Sequence, residues 1–114
     1  MNDINIDVTE SIKNELNTND VVLFMKGTPD FPMCGFSAAT VQVLKNLGIN
    51  FNSVNVLDSN DMREGIKKFS DWPTIPQLYV KKEFIGGCDI VKEMYESGEL
   101  LELLNSRGIQ VSPS

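Results

Sequence analysis

Residues Val21–Gly48, VVLFMKGTPDFPMCGFSAATVQVLKNLG, join a short apolar run to an amphipathic run through a loop rich in Gly and Pro. The apolar run contains β-branched residues and no polar one, which predicts a strand that is covered on both faces. From Gly35 onward, apolar side chains recur on one helical stripe, at Val41, Leu44 and Leu47. Gly48 provides a stop for that helix. The stretch therefore predicts a strand, a loop and a helix, with Cys34 at the N-terminus of the helix.

Further elements are predicted on both sides of this stretch. Asp7 and Glu10 have the spacing of a capping box, and the apolar positions that follow predict a helix over about 8–18. The other predicted elements are a strand over 51–57, a helix after Asp58–Asn60, a hairpin of Gln77–Val80 and Glu83–Ile85, and helices over Ile90–Tyr95 and Leu100–Leu104. This order predicts an α/β fold in which a βαβ unit followed by a ββα unit forms a mixed four-stranded sheet, with helices on both faces and an extra N-terminal helix.

The chain length indicates a single domain. With 114 residues and no internal repeat, the chain is long enough for one core and too short for two. We expect the core of the domain at about 21–104, the N-terminal helix at about 8–18 and a C-terminal tail at 109–114. Ser112–Ser114 is expected to fray.

Composition excludes several classes of function. The net charge is −6 and the basic residues are scattered, so the sequence offers no footprint for nucleic acid. No apolar run approaches the roughly 18 residues that span a bilayer, so no membrane association is expected. The N-terminus MNDINIDVTE is acidic and polar, unlike a secretory signal or a transit peptide. The expected location is cytoplasmic, with a mature organellar form as the second reading.

The chain has no histidine and only two cysteines, Cys34 and Cys88. Nucleophilic systems that need histidine are thereby excluded, as are zinc sites that use it. Two cysteines are also too few for a tetrahedral thiolate site within one chain. With these classes excluded, any catalytic or binding chemistry has to use a thiol or carboxylates. Asp58 and Asp61 are better interpreted as helix-start residues than as a catalytic pair of carboxylates.

Cys34 is the candidate for that chemistry. At a helix N-terminus, unpaired N–H groups and the helix dipole favour a thiolate, and Lys26 could add positive charge. The alternative is a buried core thiol, which a position after a Gly- and Pro-rich loop disfavours. Ser37 stands where a dithiol motif would have its second cysteine. By itself, a serine in a first helical turn is usually capping or merely tolerated.

Four separated motifs make a family resemblance specific: Met25–Gly27, Cys34–Ser37, Trp72–Gln77 and Gly86–Asp89. Together they resemble the monothiol glutaredoxins of the CGFS type, over about 21–104. The loop between the lysine and the cysteine also resembles this class, which carries extra residues there. The resemblance implies a thioredoxin-like fold and a glutathione site formed by Lys26, Cys34, Arg63, Ile75, Pro76, Cys88 and Asp89.

The resemblance also implies roles for these residues. Lys26 and Arg63 would meet the glycyl carboxylate of glutathione, although Arg63 also fits an exposed helix arginine paired with a carboxylate. Pro76 resembles the family's cis-proline, which would let the Ile75 backbone pair with the peptide like an added strand. The alternative is a trans proline that opens an edge strand.

The Gly86–Asp89 motif is expected to hold the other end of glutathione. Its glycines allow close backbone approach, and the N–H groups of Cys88 and Asp89 suit the γ-glutamyl carboxylate. Asp89 would hold the glutamyl ammonium, act as an N-cap, or both. Cys88 is read as a buried structural thiol rather than a redox partner. Trp72 is read as a packing residue, and Phe36 as packing or as a shield for a bound cofactor.

The function implied by the resemblance is the binding of a bridging 2Fe–2S cluster. Its ligands would be Cys34 from each of two chains and the sulfurs of two glutathiones, which implies a homodimer with the cluster and a monomer without it. The implied roles are cluster assembly and transfer to apo iron–sulfur proteins, and iron homeostasis, with a BolA-type protein as a further partner. The alternative is a glutathione-dependent thiol–disulfide oxidoreductase acting through Cys34, for which the resemblance implies weak activity.

Overall fold

The computed structural model describes residues 7–112. Residues 1–6, in the acidic N-terminus, and Pro113 and Ser114 of the predicted tail lie outside the described residues. The elements are α1 (Val8–Thr18), β1 (Val21–Met25), α2 (Gly35–Leu47), β2 (Asn52–Asn55), a 3-10 turn (Val56–Asp58), α3 (Asn60–Ser70), β3 (Gln77–Val80), β4 (Glu83–Gly86), α4 (Cys88–Ser97) and α5 (Glu99–Ser106).

The four strands form one mixed sheet in the order β2-β1-β3-β4. Strand β1 pairs parallel with β2 and antiparallel with β3, and β3 pairs antiparallel with β4. Helices α1 and α3 pack together on one face of the sheet, and α2, α4 and α5 pack on the other. The α/β fold predicted from the order of elements is therefore confirmed, including the extra N-terminal helix.

The central strand β1 shows why its sequence is wholly apolar. All five of its residues are buried. Because successive side chains point to opposite faces, Val22 and Phe24 enter the core under α1 and α3, whereas the remaining three enter the core under α2, α4 and α5. Phe24 meets the ring of Tyr79 edge-on, with the centroids 5.6 Å apart. Burial on both faces is thus the reason for the uninterrupted apolar run.

Local signals define most of the helix ends. The Asp7 carboxylate caps α1 by accepting from the Thr9 N–H, and the Ser59 hydroxyl caps α3 by accepting from the Met62 N–H at 3.1 Å. Gly48 ends α2 in the left-handed conformation, with φ +65°. These residues were among the caps and stops predicted from the sequence.

Several predicted boundaries differ from the structure by one to two residues, and two of these differences have a clear local cause. The second strand ends at Asn55 rather than at Leu57, because the Asn55 side chain accepts from the Leu57 N–H at 3.0 Å and turns the chain. Helix α4 begins at Cys88 rather than at Ile90, because Gly87 is its N-cap. Asp89 is consequently inside the first turn, so its reading as an N-cap is wrong.

The chain beyond α5 returns to the core. Ile109 is buried there, and the N–H of Ser112 donates to the Leu47 carbonyl at 3.0 Å. Residues 109–112, which the sequence placed in a tail, therefore pack against the end of α2. Apolar side chains at positions 109 and 111 provide the reason for this contact.

Candidate functional site

The loop between β1 and α2 brings Cys34 beside the end of the central strand. The Met33 N–H donates to the Lys26 carbonyl at 2.9 Å, and Thr28 and Phe31 exchange backbone hydrogen bonds of 3.2 and 3.0 Å. The Gly27 N–H donates to the Asn55 side chain at 2.9 Å, which ties the loop to the end of β2. The loop is thus closed on itself, and Lys26 and Cys34 flank its two ends.

Cys34 is the N-cap of α2 and is partly exposed. The backbone N–H of Ser37 is the main cause that lowers the pKa of the Cys34 thiol below its ordinary value. Desolvation opposes this effect, and smaller contributions to the lower pKa come from the Phe36 N–H, the Lys26 charge and the Ser37 hydroxyl. The sulfur makes no close capping hydrogen bond, so the N–H groups act on it at longer range. The predicted thiolate position at a helix N-terminus is therefore present.

Ser37 has a structural role that its sequence context did not reveal. Its side chain is fully buried, and its hydroxyl oxygen accepts a hydrogen bond from the Lys26 N–H at 3.1 Å. The serine is not the helix cap, because Cys34 occupies that position. The hydroxyl instead links the first turn of α2 to the end of β1.

We expect alkylation of Cys34 by iodoacetamide, measured in a Cys88→Ala background, to have a pH midpoint below that of an ordinary cysteine. Only the thiolate reacts, so the rate falls as the pH drops through the pKa of Cys34. Lys26→Met should raise the midpoint, because it removes a cation that favours the thiolate.

Lys45→Met is the matched control for this titration, since Lys45 lies in the last turn of the helix that Cys34 caps. It should leave the alkylation midpoint where it is. An ordinary midpoint in the parent protein would contradict the assignment of Cys34 as a stabilised thiolate.

Cys34 opens onto a cavity of about 600 Å³. Every residue that the sequence assigned to glutathione lines it: Lys26, Cys34, Arg63, Ile75, Pro76, Cys88 and Asp89. These residues come from five separate parts of the chain, so the fold brings together what the motifs keep apart. A cavity of this size fits a small molecule of several polar groups.

Charge is distributed unevenly around the cavity. Lys26, Arg63 and Lys67 line it, together with Asp89 and the N-terminus of α4. The Arg63 Nε lies 3.6 Å from a carboxylate oxygen of Glu64, which is the ion pair expected of an exposed helix arginine, and its Nη2 donates to the Asn60 side chain at 3.0 Å. The cations and the helix N-terminus are both suited to carboxylates.

The segment from Trp72 to Pro76 forms one wall of the cavity. The Ile75–Pro76 peptide bond is cis, as the sequence predicted. Opposite, Gly87 approaches this wall closely, because a Cβ on Gly87 would lie 3.1 Å from Trp72 Nε1 and 3.3 Å from the Pro76 carbonyl oxygen. A Cβ at this position would therefore crowd the wall, whereas glycine leaves the backbone room to approach it.

Sequence reasoning missed five residues of the cavity wall, which are Lys67, Trp72, Pro73, Thr74 and Ile90. Lys67 follows Arg63 by one helical turn, and this spacing was a signal that could have identified it. Thr74 gave no signal beyond its motif. Trp72 does pack, with its ring 5.7 Å from that of Phe84, but it also lines the cavity.

The rim of the site around Cys34 is apolar and exposed. Phe31, Met33 and Phe36 have 77%, 68% and 63% of their surface exposed. Phe36 also lines the cavity, in keeping with its reading as a shield. Exposed apolar side chains that form a contiguous patch are typical of interaction surfaces.

Neither a metal centre nor a membrane span is found in the part of the chain that the structure describes. Between residues 7 and 112 there is no group of three or more Cys, Asp or Glu side chains that could hold a metal ion. Over the same range, no helix is sufficiently long and apolar to cross a membrane.

The sequence is similar to known proteins over most of its length. The glutaredoxin family profile matches residues 21–85. The mitochondrial protein monothiol glutaredoxin-5 of Saccharomyces cerevisiae is 54% identical over 104 residues, which cover 89% of this chain and 69% of that protein. Probable monothiol glutaredoxin 2 of Rickettsia typhi is 56% identical over 93 residues, which cover 82% of this chain and 84% of that protein.

The fold is similar to the folds of solved glutaredoxin structures. Reduced apo GrxS14 from poplar, determined in solution, is 50% identical with a TM-score of 0.78, and the match covers 88% of this chain and 92% of that one. The buckwheat glutaredoxin–glutathione complex is 22% identical with a TM-score of 0.77, covering 89% of this chain and 90% of that one. Because the buckwheat protein is only 22% identical, its similarity to this chain concerns the fold alone.

Proposed function

The chain belongs to the monothiol glutaredoxin family, and from this premise we propose that it binds glutathione beside Cys34 and carries a 2Fe–2S cluster between two chains. The cluster is the cargo, to be assembled and passed to apo iron–sulfur proteins, with a role in iron homeostasis. The observation that carries the proposal is a lone stabilised thiol at the edge of a cavity lined by cations.

Glutathione has the chemical groups that the cavity would satisfy. It offers two carboxylates, an ammonium, a peptide backbone and a thiol. We assign the glycyl carboxylate to Lys26 and Arg63, with Lys67 beside them, since all three line the same cavity. Their positive charges support this assignment, because charge-assisted hydrogen bonds to carboxylates are among the strongest in proteins.

The other groups of glutathione are assigned to the opposite side. The Ile75 backbone would pair with the peptide, and the N–H groups of Cys88 and Asp89 at the start of α4 would meet the γ-glutamyl carboxylate. Asp89 is exposed at the cavity and would meet the ammonium.

The count of ligands supports a shared cluster. A 2Fe–2S cluster is usually held by four thiolates, and the described residues of one chain offer Cys34 with no metal-binding group around it. Two chains and two glutathione sulfurs supply four. The exposed rim formed by Phe31, Met33 and Phe36 would be covered by the second chain, which supports a dimer with the cluster and a monomer without it.

Anaerobic reconstitution tests this function. With iron, sulfide and glutathione, the protein should become brown and dimeric, and should contain one glutathione per chain. Without glutathione, it should stay colourless and monomeric, because half of the thiolates would be missing. A colourless monomer in the complete mixture would refute cluster carriage, as would a cluster that assembles equally well without glutathione.

The second candidate function is the release of glutathione from mixed disulfides, which the lowered pKa of Cys34 favours. The Cys34 thiolate would attack the glutathione sulfur, releasing the substrate thiolate and leaving a Cys34–glutathione disulfide. A second glutathione thiolate would then attack that sulfur, forming oxidised glutathione and restoring Cys34. Rapid turnover without cluster assembly would favour this function. We propose that the protein is chiefly a carrier and at most a weak enzyme.

A further partner and a location belong to the same proposal. A small BolA-type protein could replace one chain at the exposed rim, and co-purification of the two would test it. A cytoplasmic location is also proposed, with an organellar form as the alternative, because the similar proteins come from a mitochondrion and from a bacterium.

A further inference from the structure

Gln77, the first residue of β3, is a polar side chain with no exposed surface. Its Nε2 donates to the Trp72 and Thr74 carbonyls, both at 3.2 Å, and its Oε1 accepts from the Tyr79 hydroxyl at 3.3 Å. Since carbonyls can only accept, the two backbone partners determine which end of the amide faces them. Both ends of this buried amide are therefore used, as a buried polar group requires.

The carbonyls that Gln77 holds belong to the cavity wall. Trp72 and Thr74 both line the cavity, and so does Ile75, the residue proposed to pair with the peptide of glutathione. The backbone of a loop pairs well with a ligand only if its peptide planes are held in the right orientation. The Gln77 side chain, which has no exposed surface, holds the Trp72 and Thr74 carbonyls from within the core and so constrains two of these planes.

Tyr79 supports the other end of the amide. It is 2% exposed and packs against the rings of Phe24, Phe69 and Phe84. Burial raises the pKa of Tyr79 to about 12, and a hydrogen bond with the Ser70 side chain opposes this shift. A tyrosine hydroxyl carries its proton at neutral pH, so it can donate to Gln77. The amide is thus anchored to the aromatic core at one end and to the loop at the other.

We propose that Gln77 is a positioning residue, which orients the Trp72–Ile75 backbone for the peptide of a bound ligand. The identity of that ligand as glutathione rests on the proposed function. The competing explanation is that Gln77 only fills space in the core. An apolar side chain of similar size would then serve equally well, whereas a positioning role needs both ends of the amide.

Three variants separate these explanations. Gln77→Leu keeps the approximate volume and removes both ends of the amide. Tyr79→Phe removes only the hydroxyl behind it. Leu104→Ala, in the core under α5, is the matched control, because it destabilises the fold from a buried position far from the loop in sequence and on another helix.

Two quantities are measured for each variant, with its cysteines reduced. The first is the fluorescence of Trp72 without ligand, which reports on the loop directly because the chain has 1 tryptophan. The second is the Kd for reduced glutathione, measured by NMR titration. In Gln77→Leu, the emission spectrum should change and the Kd should rise about tenfold, because two loop carbonyls lose their partner. Tyr79→Phe should change the emission spectrum and the Kd in the same direction as Gln77→Leu, but by a smaller amount.

The control should lower the midpoint of urea unfolding without changing either readout. The proposal is overturned if Gln77→Leu leaves either readout unchanged, or if Leu104→Ala changes both equally. If the parent protein itself binds no glutathione, the proposed function fails. In that case, the Trp72 emission of Gln77→Leu, compared with that of the parent protein, still shows whether Gln77 orients the Trp72–Ile75 backbone.

Discussion

Cys34→Ser is expected to abolish cluster assembly under anaerobic conditions with iron, sulfide and glutathione. A serine oxygen does not replace a thiolate as a ligand for iron in this kind of cluster, and two chains would then have only the buried Cys88 thiols. The variant should remain a colourless monomer, as judged by its absorption spectrum and by gel filtration. The same variant should show no turnover of a glutathione mixed disulfide, because oxygen cannot enter thiol–disulfide exchange.

Cys88→Ser is the comparison for this result. Cys88 is buried at the start of α4, and its proposed contribution to glutathione is a backbone N–H that serine also has. We expect this variant to assemble a cluster with the same spectrum as the parent protein. A brown dimer formed by Cys34→Ser would refute the role of Cys34, and loss of the cluster in Cys88→Ser alone would transfer the ligand role to Cys88.

Gly27→Ala is expected to have the largest effect on stability of any conservative change at the site. Gly27 has φ +89°, and a Cβ there would lie 2.5 Å from the Phe31 carbonyl oxygen and 2.6 Å from the Met33 nitrogen. Both are backbone atoms of the closed loop, so neither can move aside by changing a rotamer. We expect a loss of roughly 3 kcal/mol in the free energy of unfolding, from backbone strain and overpacking together.

Gly35→Ala is the matched control at the other end of the same loop. A Cβ on Gly35 meets no atom within 4 Å, and its φ lies outside the left-handed region. Alanine should therefore be neutral or stabilise the first turn of α2 by less than about 1 kcal/mol. Urea unfolding measures both variants, and alkylation of Cys34 should be altered only in Gly27→Ala. Equal stability of the two variants would contradict the loop geometry.

Local patterns in the sequence predicted the elements well where one signal dominated. The apolar run of β1 and the helical stripe of α2 each repeat a single period, and Ser59 and Gly48 are strong terminal signals. The second strand was predicted too long because Val56 continued its alternation. The Asn55 side chain overrode that pattern with a local hydrogen bond to the Leu57 N–H.

The candidate site was likewise predicted only in part. Motif resemblance identified seven residues that the structure places around one cavity, but it missed Lys67 and read Trp72 as packing only. It also did not show that the Ser37 hydroxyl accepts a hydrogen bond from the Lys26 N–H. These are contacts between residues that are distant in the chain, and no local period or cap encodes them.

The sequence by itself determined the order of elements, the thiol that begins α2, the serine in place of a second cysteine and the absence of histidine. Those properties depend on residue type and on neighbours within a turn or two. Only the tertiary structure decided that the Ser37 hydroxyl accepts from Lys26 and that the Gln77 amide holds the cavity wall. Buried polar groups must find partners wherever the fold brings them, so their roles become visible only after the chain has folded.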